Sequence, residues 1–585
     1  MQKVSLKQYT LNKLDDFRHR LAYIDALPQL TFLGFIIGLT VGLVITLFRV
    51  MINWPLAQLL PIHGENFEAL SREWHFLLPV IGAIIIGVSM QLLPAKYREV
   101  SVGHVLTRLH NFQGRMPGAN FIVQFIGATI SLITGQSVGR EGPAVHLGAS
   151  AASIVGQWMN LPNNSLRTLI GCGVAAAIAA SFNTPVAGVI FALEVLLIEY
   201  TIAGFIPIIM ASVCGSVVTR IFFGEELFFS IPVMQMQGLL EIPFMVFGGL
   251  VIALFATLYM RLQFTFNYLQ KYPISLRIIA AGIATGSIAL FYPQILGLGY
   301  DTLNQVIDGQ LSLNLLLMIA GAKLLATSFS ISMGVPGGLI GPQLLIGACI
   351  GGALGIVGNT LFPDSTSNTG FYVLLGMAAM MGAVLNAPLA ALMAVLEMTY
   401  TPGVIFPSML IIVIACVITR QLFRCDGIFL EQLKKNGTSL TSGPAHQTLS
   451  RIGVRSVMDT SFVRCRYTVA YDQAHTLLTH KPMWIVIEEI DKEKYLLRAA
   501  DFAKYLDNAP EEVLTLEQDI DLLEIPAQRY KLAPVSEQAS LFEAKRQLDY
   551  DNSDALYVAR QPSNPVTSAV MGIITHNTIE NCYQI

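Results

Sequence analysis

Seven runs of apolar residues, at 31–53, 76–93, 186–213, 238–260, 276–295, 313–333 and 403–422, are each long enough to cross a bilayer as one helix. The hydrocarbon core is about 30 Å thick and takes roughly 20 apolar residues in helical form. Between these runs lie apolar segments that read as too short or too broken to span simply: 120–136, 141–159, 166–182, 337–358, 370–385 and 388–400. Gly, Pro and Asn interrupt them, as in Gly139-Arg140-Glu141-Gly142-Pro143, Asn183-Thr184-Pro185 and Gly341-Pro342. Broken helices at membrane depth persist only where the freed backbone groups line a cavity or bind something.

The charge distribution divides the chain. Of 585 residues 53% are hydrophobic and only 13% charged, which excludes a soluble enzyme, a disordered chain and a nucleic-acid-binding protein. Charged residues make up about 9% of the chain before Asn436 and about 23% after it. Only the second value suits a water-soluble domain. The expected organisation is therefore an N-terminal amphipathic helix over 1–30, a membrane domain over 31–435, a linker over 436–450 and a soluble domain over 451–585. Lys3, Lys7, Lys13, Asp15, Asp16, Arg18 and Arg20 leave residues 1–30 without the apolar core of a signal peptide. Their basic bias predicts a multi-pass protein of the plasma membrane, such as a bacterial inner membrane, with both termini cytoplasmic. The seven cysteines are scattered without a CxxC pair, so neither a disulfide nor a metal site is expected.

The membrane segment contains an internal repeat. Residues 173–194 and 376–397 pair Gly173 with Gly376, Asn183 with Asn386, Pro185 with Pro388 and Glu194 with Glu397 at one offset of 203. Upstream, Gly142-Pro143 matches Gly341-Pro342 at an offset of 199. Two homologous halves follow, and transporter folds built this way place the substrate where the broken helices meet.

The glycine motifs carry chemistry. Gly139 to Pro143 opens one apolar segment and Gly337-Gly338-Leu339-Ile340-Gly341-Pro342 another. Glycines ahead of a helix leave backbone N–H groups free, and the helix dipole adds about half a positive charge there. Two such ends aimed at one spot bind an anion without a full opposite charge, loosely enough for release. Each motif alone also reads as a tight turn; their matched repeat positions favour the anion site. Glu141 stands at the positive end of its helix beside Arg140, where a permeating anion would bind. A carboxylate in such a segment points to function, although a capping role is the plainer alternative. Glu194 and Glu397 read as caps that fix the packing of the repeats.

At these residues the chain resembles the CLC family of chloride channels and anion–proton antiporters. Gly-Arg-Glu-Gly-Pro at 139–143, Ser181-Phe182-Asn183-Thr184-Pro185, Leu396-Glu397-Met398-Thr399, and Gly338-Leu339-Ile340-Gly341-Pro342 with Ile340 at a Phe place all fit the family. The resemblance implies an all-α polytopic membrane domain of two inverted repeats with broken helices, followed by a small α/β domain. It also implies a homodimer with one anion pathway per subunit. Glu141 would be the gate, protonated or swung aside for an anion to pass. The anion would meet Ser101, Gly139, Arg140, Gly142, Gly338, Leu339, Ile340, Gly341 and Phe429, with chloride as the permeant ion and no resident cofactor.

Three departures from the family bear on mechanism. Counting back from Glu141 puts Val100 at the family's serine place, with Ser101 one residue off. Phe429 stands where the family has a tyrosine, so that hydroxyl is missing. Val195 stands where exchangers usually carry an internal glutamate that relays protons. The last departure predicts a voltage- or pH-gated chloride channel; the alternative is a chloride/proton antiporter whose proton takes another route, through water or Glu199. The intact gate motif argues against the fluoride-exporting branch.

After Phe429 the sequence turns polar, and 451–585 alternates strand-like runs (484–487, 555–558) with a helical one (538–548). The order resembles a pair of CBS modules. Of the Thr and Asp that hold a nucleotide in such modules, the first copy keeps Asp501 and the second Thr575, with Thr578 at the acidic place. An adenine nucleotide site and a purely structural dimerising tail both remain open. His104 and His146 read as lone residues, and no Ser/His or paired-His motif suggests an intramembrane enzyme.

Overall fold

The computed structural model describes residues 15–23, 26–60, 66–198, 202–224, 236–363, 367–435, 437, 444–489, 493–508, 519–560 and 569–582. The chain forms two compact units, one of residues 30–158 and 166–440, the other of 1–29, 159–165 and 441–585. The first unit is helical throughout. Among the described residues eight helices are long and apolar enough to cross a membrane.

Two segments that read as broken are continuous: Asn163–Phe182 has 20 residues and Ile340–Leu361 has 22. Their glycines do not end these helices because small residues are needed where the helices cross. A Cβ on Gly148 would lie 2.3 Å from the Gly173 carbonyl oxygen, and one on Gly376 would lie 2.2 Å from the Gly347 oxygen. These two crossings, Gly148 on Gly173 and Gly347 on Gly376, occupy equivalent places in the two halves. Conversely, the run 186–213 is not one span. It divides into a helix Pro185–Phe191, a wider π turn Ala192–Leu197 and a helix that begins at Ile202. Ile198 breaks it in the left-handed conformation, φ 56°. Glu199 lies outside the described residues.

The Asn-x-Pro pairs explain the other breaks. Asn183 and Asn386 both adopt left-handed φ, 57° and 54°, which asparagine tolerates better than most residues and which ends a helix. Pro185 and Pro388 then start the next helices at their first position, where a missing N–H costs nothing. The carboxylates of the repeat cross over. Glu194 accepts hydrogen bonds from Leu389 N–H (3.3 Å) and Ala390 N–H (2.7 Å), at the start of the helix Pro388–Thr399. Glu397, at the end of that helix, accepts from Val186 N–H (3.0 Å) and Ala187 N–H (2.7 Å). Each half thus caps the other, and the repeats are inverted about an approximate two-fold axis.

The second unit is α/β. A six-stranded sheet runs in the order β1-β3-β4-β6-β7-β8, with β1 Phe462–Cys465, β3 Trp484–Ile487, β4 Lys494–Arg498, β6 Arg529–Ser536, β7 Ala555–Ala559 and β8 Val570–Thr575. The short β2 Thr468–Val469 and β5 Ile520–Asp521 pair separately. β1 is parallel to β3 and β6 to β7, each pair joined by a helix. The same strand–helix–strand–strand–helix order therefore occurs twice. Ser540 and Glu543 close a reciprocal capping box on the helix Leu541–Asp551, satisfying two N–H groups at its start. The helix Pro444–Arg451 takes in the second half of the linker expected over 436–450. Residues 159–165 join this unit: Ser165 donates to the Leu21 carbonyl at 2.8 Å, and Asn163 donates to the Glu543 carboxylate at 3.0 Å.

The glycine crossings are testable. Gly376→Ala should lower the apparent melting temperature in detergent, corresponding to a loss of about 1–3 kcal/mol as the helices separate. Gly321→Ala, which meets nothing within 4 Å, should leave it unchanged.

Candidate functional site

The two glycine motifs meet. Gly139 N–H donates to the Gly338 carbonyl and Gly338 N–H to the Gly139 carbonyl, both at 2.6 Å, forming a two-residue antiparallel bridge. Such closeness needs glycine: a Cβ on Gly142 would lie 2.7 Å from Gly338 Cα, and one on Gly338 would lie 2.5 Å from Gly142 N. The bridge brings the first turn of the Glu141–Trp158 helix against the first turn of the Ile340–Leu361 helix.

Glu141 is fully buried at this junction. Its Oε2 accepts the Gly341 N–H at 3.1 Å, across from the other half, and its Oε1 accepts the Tyr300 hydroxyl at 2.9 Å. A Cβ on Gly139 would lie 2.4 Å from Oε2, so this glycine leaves the room that the carboxylate fills. A negative oxygen resting on the first N–H groups of a helix is the arrangement by which helix ends hold anions. The Glu141 carboxylate thus caps the opposite repeat's helix.

Beside it lies a cavity of about 880 Å³. Ser101, Gly142, Gly338, Leu339, Ile340 and Phe429 all line it, at or just before the starts of four different helices. Its wall also carries the cations Arg98, Lys271, Arg277 and Lys435, a basic setting for a mobile anion. Leu339 and Ile340 stand at the start of their helix, where N–H groups have no partner within the helix. Ser101 is the N-cap of the helix Val102–Asn111, and its Oγ accepts His104 N–H at 3.2 Å. The hydroxyl hydrogen stays available to an anion. Val100 lines the same cavity. Phe429 is buried in the helix Ile428–Lys435. Gly427, at φ +98°, turns the chain into it where a side chain would meet Asn386 Cβ at 2.8 Å.

Three expected anion contacts serve other ends. The N–H groups of Gly139 and Gly338 are engaged with each other's carbonyls, so these residues join the helices and do not donate to an anion. Arg140 donates to the Ser181 carbonyl at 3.1 Å, and its guanidinium lies 5.2 Å from the Tyr300 ring centre. It ties the motif to neighbouring helices.

Sequence reasoning missed Tyr300, Lys323 and a histidine pair. Tyr300 lies 159 residues from Glu141 outside both repeated motifs, so no local pattern marked it. Lys323 is fully buried within an apolar helix, where a lysine is itself a signal. His104 and His146, read as lone residues, are buried together with His104 Nδ1 3.0 Å from His146 Nε2. Arg108 Nε approaches His104 Nε2 at 3.3 Å. An arginine only donates, which leaves the His104 hydrogen on Nδ1, facing His146. Val195 is buried in the π turn, and the neighbouring Glu194 is taken up by the Leu389 and Ala390 N–H groups.

The family described as voltage gated chloride channel matches residues 81–420. The chain belongs to the CLC family. It is 27% identical over 417 residues to an H(+)/Cl(-) exchange transporter of Vibrio vulnificus, covering 68% of this chain and 87% of that protein. Its fold is similar to the crystal structure of a slow cyanobacterial Cl-/H+ antiporter, with TM-score 0.62 and 21% identity over 70% of this chain and 97% of that one. A eukaryotic CLC transporter structure aligns over 95% of this chain and 99% of its own, with TM-score 0.59 and 15% identity. That alignment extends through the second unit. In this family member the bridged glycines and the buried carboxylate stand at the meeting point of the two halves.

A hydroxyl on the cavity wall should strengthen anion binding. Phe429→Tyr is expected to tighten chloride binding several-fold by calorimetry, consistent with about 1 kcal/mol for one added hydrogen bond. Unchanged affinity would mean that Phe429 does not face the ion.

Proposed function

We propose that this protein exchanges chloride for protons across the membrane, with Glu141 as the gate that couples them. The observation that carries the reading is the Gly341 N–H on the Glu141 carboxylate. As a carboxylate, Glu141 fills the helix end that an anion needs. On protonation it loses its charge and its hold on that helix end, and chloride takes the place. One group then binds a proton or yields to an anion, which links the two fluxes. The relatives named as H(+)/Cl(-) exchange transporters support this reading over the channel expected from Val195.

In this reading chloride is held by the N–H groups of Gly142, Leu339 and Ile340, with Ser101 contributing its hydroxyl and Phe429 an apolar wall. Gly341 N–H joins them once Glu141 leaves. The proton reaches Glu141 without an acid at position 195. Gly142, next in the chain to Glu141, lines the cavity, and water entering it is the route in this reading.

A passive, gated channel is the second reading, and Val195 is the observation that favours it. The two are separated by the reversal potential of the purified protein in a bilayer, under a pH gradient at equal chloride. Exchange moves the potential with the proton gradient; a channel leaves it at the chloride value. Glu141→Gln should hold the pathway open, uncouple chloride from protons and flatten the pH dependence of flux. A mutant that kept the wild-type pH profile would exclude Glu141 as the gate.

The family resemblance also implies a homodimer, and the exposed Val186 and Leu389 beside the crossed carboxylates suit a subunit face. The tail's doubled strand–helix–strand–strand–helix order supports a CBS pair. Thr575 Oγ1 accepts Thr578 N–H and lies 3.0 Å from Thr578 Oγ1. This hydroxyl therefore serves its own helix cap, which favours a structural tail over a nucleotide site.

A further inference from the structure

We infer that Tyr300 is a latch on the gate: its phenol holds Glu141 docked as a carboxylate and so sets the proton concentration at which the pathway opens. The inference rests on the reading of Glu141 as gate. Tyr300 Oη donates to Glu141 Oε1 at 2.9 Å while Gly341 N–H donates to Oε2. The carboxylate therefore has one donor from the glycine motif of the opposite repeat and one from outside the repeated motifs. A hydrogen bond from a phenol stabilises the ionised carboxylate more than the protonated one.

The latch is rigidly placed. Tyr300 is the first residue of the helix Tyr300–Ile307, and Gly299 before it adopts left-handed φ +80°. The preceding turn carries Gly297 at φ +59°, where a Cβ would lie 2.6 Å from the Phe67 ring. Lys323, fully buried, donates to the carbonyls of Ile295 and Gly297, both at 2.8 Å. A buried ammonium needs such partners to offset its lost hydration. Its charge thereby pins the turn that presents the phenol, and Lys323 acts as a positioning residue at second hand.

Arg140, His146 and Arg108, charged or titratable groups on neighbouring elements, have partners of their own. Arg140, just before Glu141's helix, reaches the Ser181 carbonyl and passes beside the Tyr300 ring. His146 on that helix faces His104, and Arg108 faces His104 in turn. Asp301 follows Tyr300 in the first turn of its helix. The phenol is thus the titratable side chain placed on the gate oxygen.

The test is chloride flux from liposomes across a pH series, for wild type, Tyr300→Phe, Glu141→Gln and the double variant. Tyr300→Phe removes one oxygen and keeps the ring. Its half-maximal flux is expected to move alkaline by about one pH unit, because the docked gate loses one of its two donors and leaves the helix end more readily. Flux at the acid end, where the gate is already protonated, should match wild type and reports an intact fold. A fluorinated tyrosine at position 300, a stronger donor, should move the midpoint the other way. The phenylalanine change should add nothing to Glu141→Gln. If Tyr300→Phe keeps the wild-type midpoint while Glu141→Gln flattens the profile, the latch is overturned and the gate stands. If Glu141→Gln itself keeps the wild-type profile, the gate reading fails and the latch with it.

Discussion

Two hydrogen bonds between Gly139 and Gly338 set the geometry on which the rest of the site depends. They draw the first turns of two long helices to a separation that no side chain permits. The helix ends then share one small volume, and the Gly341 N–H of one half falls within reach of the Glu141 carboxylate of the other. The glycines need not touch an ion to create its site. They bring helix ends close enough that partial charges suffice to hold it, and partial charges hold it weakly enough for transport.

The same economy of charge runs through the membrane unit. Glu194 and Glu397 cap each other's helices across the repeat. Arg140 ties its motif to the Ser181 carbonyl, and Lys323 holds a turn through two backbone oxygens. Each of these four charges meets backbone groups left over by a broken or ending helix. In a medium without water those groups and charges are costly alone and satisfied together. This explains why a chain with so few charged residues retains these. Glu141 differs because its partners, one N–H and one phenol, are groups that it can leave.

The halves are alike in scaffold and unlike in chemistry. The Asn-x-Pro breaks, glycine crossings and capping glutamates recur at matched positions, whereas only the first half carries a carboxylate at the junction. The second half supplies its helix end at Gly341, and Tyr300 comes from outside both repeated motifs. Symmetry builds the cradle; the asymmetric residues place one carboxylate and one phenol in it. Val195 is buried beside a glutamate already engaged as a cap, whereas Gly142, next to Glu141, lines the cavity.

Much of this was legible in the residues themselves. Apolar runs and charge imbalance marked a membrane unit and a soluble one. The offset of about 200 residues revealed the halves, and the matched positions of the two glycine motifs marked where they meet, because both are patterns that repeat along the chain. Helix continuity was harder, since a glycine that breaks a helix and one that lets two helices cross look alike in sequence. Asn183 and Ile198 end helices, while Gly173 and Gly347 run through them; the neighbour across the crossing decides. The partners of Glu141, the pairing of His104 with His146 and the turn held by Lys323 span tens to about 200 residues. They carry no spacing rule, because such contacts exist only once the helices have packed. Composition and repeat therefore determined the membrane architecture and marked Glu141 as the carboxylate of the first glycine motif. Tertiary packing alone decided which groups hold that carboxylate, because its donors at Gly341 and Tyr300 come within reach only in the folded chain.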